Sequence, residues 1–299
     1  MSVDEPYVHI VFNWRADATD DWEIRYCRSN DCGKTWPVWT QLTNNDTSSL
    51  YPDVAARGSY VHVTYQDDWA GNFEVMYKRI TNYGAGAVDQ TRRLTFSDSD
   101  SYLPQIAVSM SGLSVNIVYE DTIDTTLDIF YKHIYSSGAG PYDTRRITFG
   151  IYQEDYNSFS DIATSSGTDD QFVYIVYNGH WPGNSEIMYK RLDNWGQGGF
   201  IMYSARLTYS STVSSMAAIA FDSIHNDVHI SYLDYWPGNS DVMHRKLPDY
   251  GGDGYSAQRI SWGSGDSNYS SIASSDVWTF VAWSDNTSGN YEIYFKRGT

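Results

Sequence analysis

Basic residues are scarce in this sequence: 20 Lys and Arg stand against 37 Asp and Glu, for a formal net charge of −17. Such a field repels nucleic acid and anionic membranes, so neither is expected as a partner. It also disfavours an anionic ligand unless a local basic pocket overrides it. No run of about 18 apolar residues occurs, so no segment is expected to insert in or span a membrane. The opening residues, MSVDEPYVHIVFNW, hold neither a basic stretch nor a cleavable apolar one. A cytosolic protein, or one whose signal was removed ahead of this numbering, fits that start. Cysteine is limited to Cys27 and Cys32. They could close a small hairpin disulfide in an oxidising compartment or stand as two ordinary thiols. A metal centre would need more ligands nearby. Gly-rich phosphate loops, nucleophile elbows and zinc motifs are missing, and no segment carries a convincing helical period.

What the chain does have is aromatic residues, 26 Tyr and 11 Trp among them, which suit pleated surfaces better than helices. It also has a repeat. The segments WEIRYCR, FEVMYKR, LDIFYKH, SEIMYKR, SDVMHRK and YEIYFKR align without gaps. Their acids, Glu23, Glu74, Asp128, Glu186, Asp241 and Glu292, are spaced by 51, 54, 58, 55 and 51 residues. Before each lies an alternating strand such as VHIVFNW or VHVTYQD. Before that, in five copies, comes a segment ending in small residues, such as DVAARG or DIATSS. A loop and then RRLTF, RRITF, ARLTY or QRISW follow. Period-2 alternation bounded by turn residues means four strands per unit, here lettered A to D.

A four-stranded sheet of about 50 residues cannot bury both of its faces, whereas six arranged radially can. The expected fold is therefore all-β: one six-bladed β-propeller of four-stranded antiparallel blades. It is expected to fill 1–299 as a single domain, in units near 1–50, 51–101, 102–157, 158–214, 215–268 and 269–299. The first unit starts almost at strand B and the last stops after strand C. Either native sequence lies outside these residues, or the two ends complete one blade between them.

Residues 29–36, SNDCGKTW, lie between strands C and D of the first unit. The pattern Ser-x-Asp-x-Gly-x-Thr-Trp resembles the Asp box of bacterial neuraminidase-type (BNR) repeats, found in sialidases and related propellers. The likeness extends over essentially the whole chain, although only this one box is well kept and Cys32 stands where the family usually has Gly. The resemblance implies a folding role for Asp31, Gly33, Thr35 and Trp36, away from any active site. It also implies a secreted or cell-surface protein. Sialidases grip their substrate carboxylate with three arginines from separate blades. Here Arg15 and Arg57 are the only central candidates, so sialidase chemistry is read as absent and no catalytic residues are assigned.

The six strand-C acids lie one per blade and are expected to serve a blade-to-blade ion-pair and hydrogen-bond network, with Lys78, Lys132, Lys190, Arg245 and Lys296 four positions after five of them on the same strand face. His9, His62 and His229 share a strand-B position with Asn116 and Tyr174, which favours packed, hydrogen-bonded histidines over metal ligands. The B–C loops DDWAGN, GHWPGN and DYWPGN carry indoles that a tight turn does not need. In a propeller these loops and the D–A loops surround the mouth of the central channel. Trp69, Trp181 and Trp236, beside Asp68, His180 and Asp234, are accordingly the candidate binding residues, with aromatic faces for sugar C–H groups and polar atoms for hydroxyls. The competing reading packs each Trp between blades. The oxygen-rich D–A loops could hold Ca²⁺, but they lack a defined ligand spacing, so no cofactor or metal site is assigned.

The functional expectation is a non-catalytic module binding a glycan or protein ligand. The rival is a glycoside hydrolase using Asp67, Glu120, Asp121, Asp234 or Asp285 at the channel mouth, which would need two carboxylates about 5–10 Å apart. A purely structural surface or fibre module is the third reading.

Overall fold

The computed structural model describes residues 1–123, 125–149, 157–165, 172–181, 183–193, 201–235, 238–252, 254, 257–275 and 277–298. Six antiparallel sheets follow one another along the chain, and the fold is a six-bladed β-propeller. The chain divides into two compact units, 1–149 and 150–299.

In the first unit, blade 1 is β1 (Ser2–Asp4), β2 (Tyr7–Trp14), β3 (Glu23–Ser29) and β4 (Val38–Gln41). Blade 2 is β5 (Ser49–Arg57), β6 (Tyr60–Asp67), β7 (Glu74–Ile80) and β8 (Val88–Arg93). Blade 3 is β9 (Ser101–Val108), β10 (Val115–Ile123), β11 (Thr126–Ile134) and β12 (Tyr142–Arg146). The second unit opens with blade 4: β13 (Asn157–Thr164), β14 (Val173–Trp181), β15 (Asn184–Leu192) and β16 (Ile201–Arg206). Blade 5 is β17 (Ser214–Asp222), β18 (Asp227–Asp234), β19 (Asp241–Leu247) and β20 (Gln258–Arg259). Blade 6 has three strands, β21 (Ser267–Ser274), β22 (Thr279–Asp285) and β23 (Glu292–Gly298). Within every sheet, sequence neighbours pair as strands A to D. The short β1 and the three-stranded last sheet fall where the repeat spacing runs out.

Alternation sets the packing. In the first unit, Ile24 and Tyr26 bury against Val54, Val61 and Val63 of the next blade, and Val75 and Tyr77 bury against Ile106 and Ile117. The second unit repeats this with Ile187 and Tyr189 against Ile219, Val228 and Ile230. Burying each such side chain contributes about 1.5–3 kcal/mol.

In blades 1, 2 and 4 the strand-C Tyr and Arg also clasp the following blade. The C–D loops of blades 2, 3 and 5 each run through three left-handed residues: Asn82, Tyr83 and Gly84 (φ 51°, 54° and 81°), then Ser136 to Gly138, then Asp249 to Gly251. Left-handed backbone costs a non-glycine residue about 1–2 kcal/mol. The compensation comes from the preceding blade. Arg28 donates Nη1 to the Tyr83 carbonyl (2.8 Å), Arg79 to Ser137 (2.7 Å) and Arg191 to Tyr250 (2.5 Å). The buried hydroxyls of Tyr26, Tyr77 and Tyr189 lie directly under the three glycines, where no Cβ fits.

The strand-B histidines are packed and hydrogen-bonded, as their interchange with Asn and Tyr predicts. His9 Nδ1 meets Tyr26 OH at 2.8 Å and His62 Nδ1 meets Tyr77 OH at 2.7 Å, both pairs buried. Burial first, then the nearby Arg28, depress His9 to about 4. Burial and Arg79 depress His62 to about 3.

The SNDCGKTW hairpin is stapled by its own side chains. Asp31 accepts from Ser29 Oγ, Thr35 N and Thr35 Oγ1 at 2.6–2.8 Å, while Cys32 and Gly33 turn the chain at φ 57° and 85°. The Thr35 and Ser29 hydrogen bonds lower the Asp31 carboxyl to about 2. Both thiols are free, Cys27 buried and Cys32 exposed.

Candidate functional site

The sharpest local departure from regular strand geometry lies at the start of strand A. In blades 2 to 6 the register between strands A and B slips there, between Leu50 and Asp53 in blade 2 and between Asn268 and Ser271 in blade 6. An inserted residue of this kind is a β-bulge. The bulged residues are Tyr51, Leu103, Phe159, Met216 and Tyr269, all with φ between 45° and 52°. None is Gly or Asn, the residues that tolerate this region, and bulky side chains here are true outliers. Tyr51 is 54% exposed and Tyr269 74%. The strain is therefore not repaid by burying those rings.

The bulge also re-aims its neighbours. Asp53 accepts the Ile106 N–H of the next blade (2.9 Å), and Asp161 accepts that of Ile219 (2.9 Å). Burial raises the Asp53 carboxyl despite these bonds. In the first unit the Leu103 N–H, at the bulge itself, donates to Gln66 Oε1 (3.0 Å).

Beside the bulges of blades 2, 3, 5 and 6, an acid near the end of strand B fastens the adjoining loops. Asp67 accepts from Ser49 Oγ (2.7 Å), Asn45 Nδ2 (3.0 Å) and the Trp69 N–H (2.9 Å). Asp121 accepts from Ser97 and Ser101, Asp234 from Ser210, Thr212 and Ser214, and Asp285 from Ser267 and the Thr287 N–H. Four of the five carboxylates considered for hydrolysis thus perform one repeated loop-fastening task. The fifth, Glu120, is buried at 3% exposure. The loop asparagines are structural as well: Asn72 and Asn184 donate to carbonyls of the following D–A loop and to the strand-C acid.

Of the residues singled out by sequence, Asp68 is half-buried and accepts the Ser48 N–H (2.8 Å). Trp69 points into solvent, 64% exposed. Ser49 pairs with Asp67, so Trp69 and Tyr51 stand at the same end of blade 2. His180 is exposed at the end of β14. Asp234 is held by the three hydroxyls above. The side chain of Trp181 and the whole of Trp236 lie outside the described residues.

The strand-C acids pair within their own sheet. Glu74, Asp128, Glu186 and Asp241, all nearly inaccessible, bind Arg93, Arg146, Arg206 and Arg259 of strand D at 2.5–2.7 Å. An exposed aromatic covers each guanidinium: Phe96, Phe149, Tyr209 and Trp262. The expected blade-to-blade fastening is made instead by the strand-C arginines on the left-handed loops. The covering aromatics form a column in the aligned repeat, three residues after the arginine, which a column-by-column reading would have found.

One further cluster, Asp222, His225 and Asp227 at the A–B turn of blade 5, brings its ligand atoms within 4.8 Å of one another. Asp222 already accepts three donors, from the Ile224 and His225 N–H groups and His225 Nδ1, and Asp227 pairs with Lys246. The cluster is accounted for as a charged turn.

No family model matches the sequence, and no curated protein does either. Solved structures do match in fold. A PL25 ulvan lyase bound to -[GlcA(1-4)Rha3S]- is 10% identical, with 98% of this chain and 76% of that chain covered and a TM-score of 0.63. A Trypanosoma rangeli sialidase in complex with the inhibitor DANA is 12% identical, covering 98% of this chain and 53% of that one, with a TM-score of 0.55. The same sialidase as a covalent intermediate with 2,3-difluorosialic acid gives 0.54. This chain is thus a six-bladed propeller with carbohydrate-active structural neighbours.

Proposed function

We propose that this propeller binds carbohydrate, without cleaving it, at the end of the blades where strand A begins and strand B ends. The observation that carries the reading is the exposed aromatic held at positive φ. Gly or Asn would adopt this backbone with least strain, yet Tyr51 and Tyr269 occupy it and remain largely in solvent. Strain of about 1–3 kcal/mol kept where no packing repays it belongs to a contact surface. Trp69 beside Tyr51, and Tyr291 beside Asn268 of the Tyr269 bulge, add flat faces for sugar C–H groups at the same ends of their blades.

Binding is preferred over hydrolysis because Asp67, Asp121, Asp234 and Asp285 are each committed to loop hydroxyls and amides. The net charge of −17 favours a neutral glycan over the uronate and sulfate groups in the ligand of the lyase neighbour. Within this reading the stapled SNDCGKTW hairpin is a BNR-type Asp box and the protein works outside the cell.

The test is a glycan array probed with the wild-type protein, the Tyr51→Ala/Trp69→Ala variant and Tyr269→Ala. Neutral glycans bound by the wild type and lost by either variant support the reading. Binding that survives in both variants, or no binding to any glycan, overturns it. Release of reducing ends from a bound glycan would overturn the non-catalytic half alone.

A further inference from the structure

Blade 1 departs from its siblings at one corner. In blades 2 to 5 the strand-D arginine fills a fixed slot: its Nη2 meets the buried acid of strand C, and its Nε donates to the carbonyl two residues on. Those carbonyls belong to Thr95, Thr148, Thr208 and Ser261, at 2.8–3.0 Å. An aromatic closes the slot from outside.

In blade 1 the acid is present. Glu23 is buried at 7% exposure and accepts the Asn45 N–H on Oε1 (2.9 Å). The arginine is not. Gln41 stands two residues before Thr43, is exposed, and donates Nε2 to Asn44 Oδ1 (3.3 Å). Asn44 itself takes the place of the covering aromatic. Guanidinium and lid are thus both replaced, and the slot opens into a groove of about 440 Å³ lined by Glu23, Asp20, Asp21, Asn45, Trp14 and Arg25.

Two acceptors in that groove have no partner: Glu23 Oε2 and Asn45 Oδ1 are both buried and unbonded. Glu74 Oε2 in blade 2 is also unbonded, but there Arg93 on the other oxygen cancels the charge. Glu23 has no such ion-pair partner among the described residues. Asp20 and Asp21 line the same groove, as does Arg25, whose guanidinium lies 3.3 Å above the centre of the Trp14 ring and whose buried Nε is also unbonded. No ion pair joins Arg25 to Glu23 among the described residues. A buried carboxylate without its counter-ion, beside a second unmet acceptor, calls for a cationic donor from elsewhere.

We propose that the outer groove of blade 1 is a guanidinium-binding site, filled by an arginine side chain that the chain does not itself supply. The incoming group takes the place held by Arg93, Arg146, Arg206 and Arg259 in the sibling blades, its Nη on the Glu23 carboxylate and its Nε toward the Thr43 carbonyl. The planar fork matches both acceptors at once, which an ammonium cannot do. Free arginine and an arginine within a peptide share this chemistry.

The test is calorimetric titration of the full chain with Nα-acetyl-arginine amide, Nα-acetyl-lysine amide, free arginine and an Arg-containing tripeptide. The arginine probes are expected to bind, with the lysine probe weaker by about tenfold or more. Glu23→Gln is expected to weaken arginine binding by about tenfold or more. Gln41→Arg, which copies the sibling blades and so does not depend on a destabilised variant folding, should abolish binding and raise Tm. Tighter binding of the tripeptide than of arginine identifies a polypeptide source, and equal binding a small-molecule one. Lysine binding as tight as arginine, no arginine binding at saturating concentration, or unchanged binding by Gln41→Arg overturns the proposal.

Discussion

Replacing Gly138 with Ala puts a methyl group where the Tyr77 hydroxyl already is. The added Cβ would lie 1.7 Å from Tyr77 Oη, 2.8 Å from its Cζ and 3.2 Å from His62 Nδ1. Tyr77 cannot step aside, because its ring is fully buried and its hydroxyl is bonded to His62 at 2.7 Å. Three costs follow. A non-glycine residue at φ 81° costs about 1–2 kcal/mol. Forced repacking adds about 1–3. Displacing the Tyr77–His62 hydrogen bond adds about 1. The expected loss is roughly 3–6 kcal/mol. Gly33 is the internal control: its φ is 85°, but nothing lies within 4 Å of an added Cβ, so Gly33→Ala should cost only the backbone share, about 1–2 kcal/mol. Urea midpoints of the two variants measure the difference. Adding Tyr77→Phe to Gly138→Ala removes the obstructing oxygen and should recover part of the loss, a coupling that a double-mutant cycle reads directly. If Gly138→Ala is no more costly than Gly33→Ala, the clasp between blades 2 and 3 is not as described.

Acid should destabilise the protein through its buried imidazoles. Their unfolded value is near 6.5, while in the fold His9 lies at about 4 and His62 at about 3, so the unfolded chain binds more protons between those limits. Stability present above about pH 6.5 is therefore lost as pH falls toward 4 and below, and urea midpoints should fall across that window. His62→Asn, which copies Asn116 and its bond from Tyr131 OH (2.6 Å), should flatten the dependence. Arg206→Ala strands the fully buried Glu186 and should cost roughly 3–5 kcal/mol, recovered in part by adding Glu186→Gln; thermal melts of both check it. Iodoacetamide on the native protein should modify Cys32 alone, and both thiols after denaturation, with mass spectrometry counting the adducts.

The repeat was legible because its strongest signal, the strand-C acid followed by an alternating apolar run, sits on one strand without insertions. All six acids fall at the start of their third strands or within two residues of it. The histidine role was legible for a related reason: a column that accepts His, Asn and Tyr describes hydrogen bonding to a neighbour, not metal ligation. The partner of the acids was not. Residues four apart on a strand share a face but stand about 13 Å apart, whereas Arg93 lies on the adjacent strand, two registers from Glu74. Sequence proximity pointed to Lys78 and sheet geometry chose Arg93. The bulges were invisible because Tyr, Leu, Phe, Met and Tyr share no turn chemistry, and positive φ normally announces itself through Gly or Asn. Trp69 stood out by its poor fit to a tight turn, whereas Tyr51, at the same end of blade 2, read as ordinary strand.

The clasp of Tyr and Arg on the next blade's left-handed loop sets where the molecule can be cut and copied. A sheet excised at its own strand boundaries would leave a bare tyrosine hydroxyl on one side and an unsupported loop on the other. The clasps run from Tyr26 to Gly84, from Tyr77 to Gly138 and from Tyr189 to Gly251, each farther than the spacing of its repeat, so no segment one repeat long holds a clasp whole. Duplication or engineered insertion should therefore succeed where whole repeats meet a blade on each side to complete both clasps, and a single blade taken alone should fail.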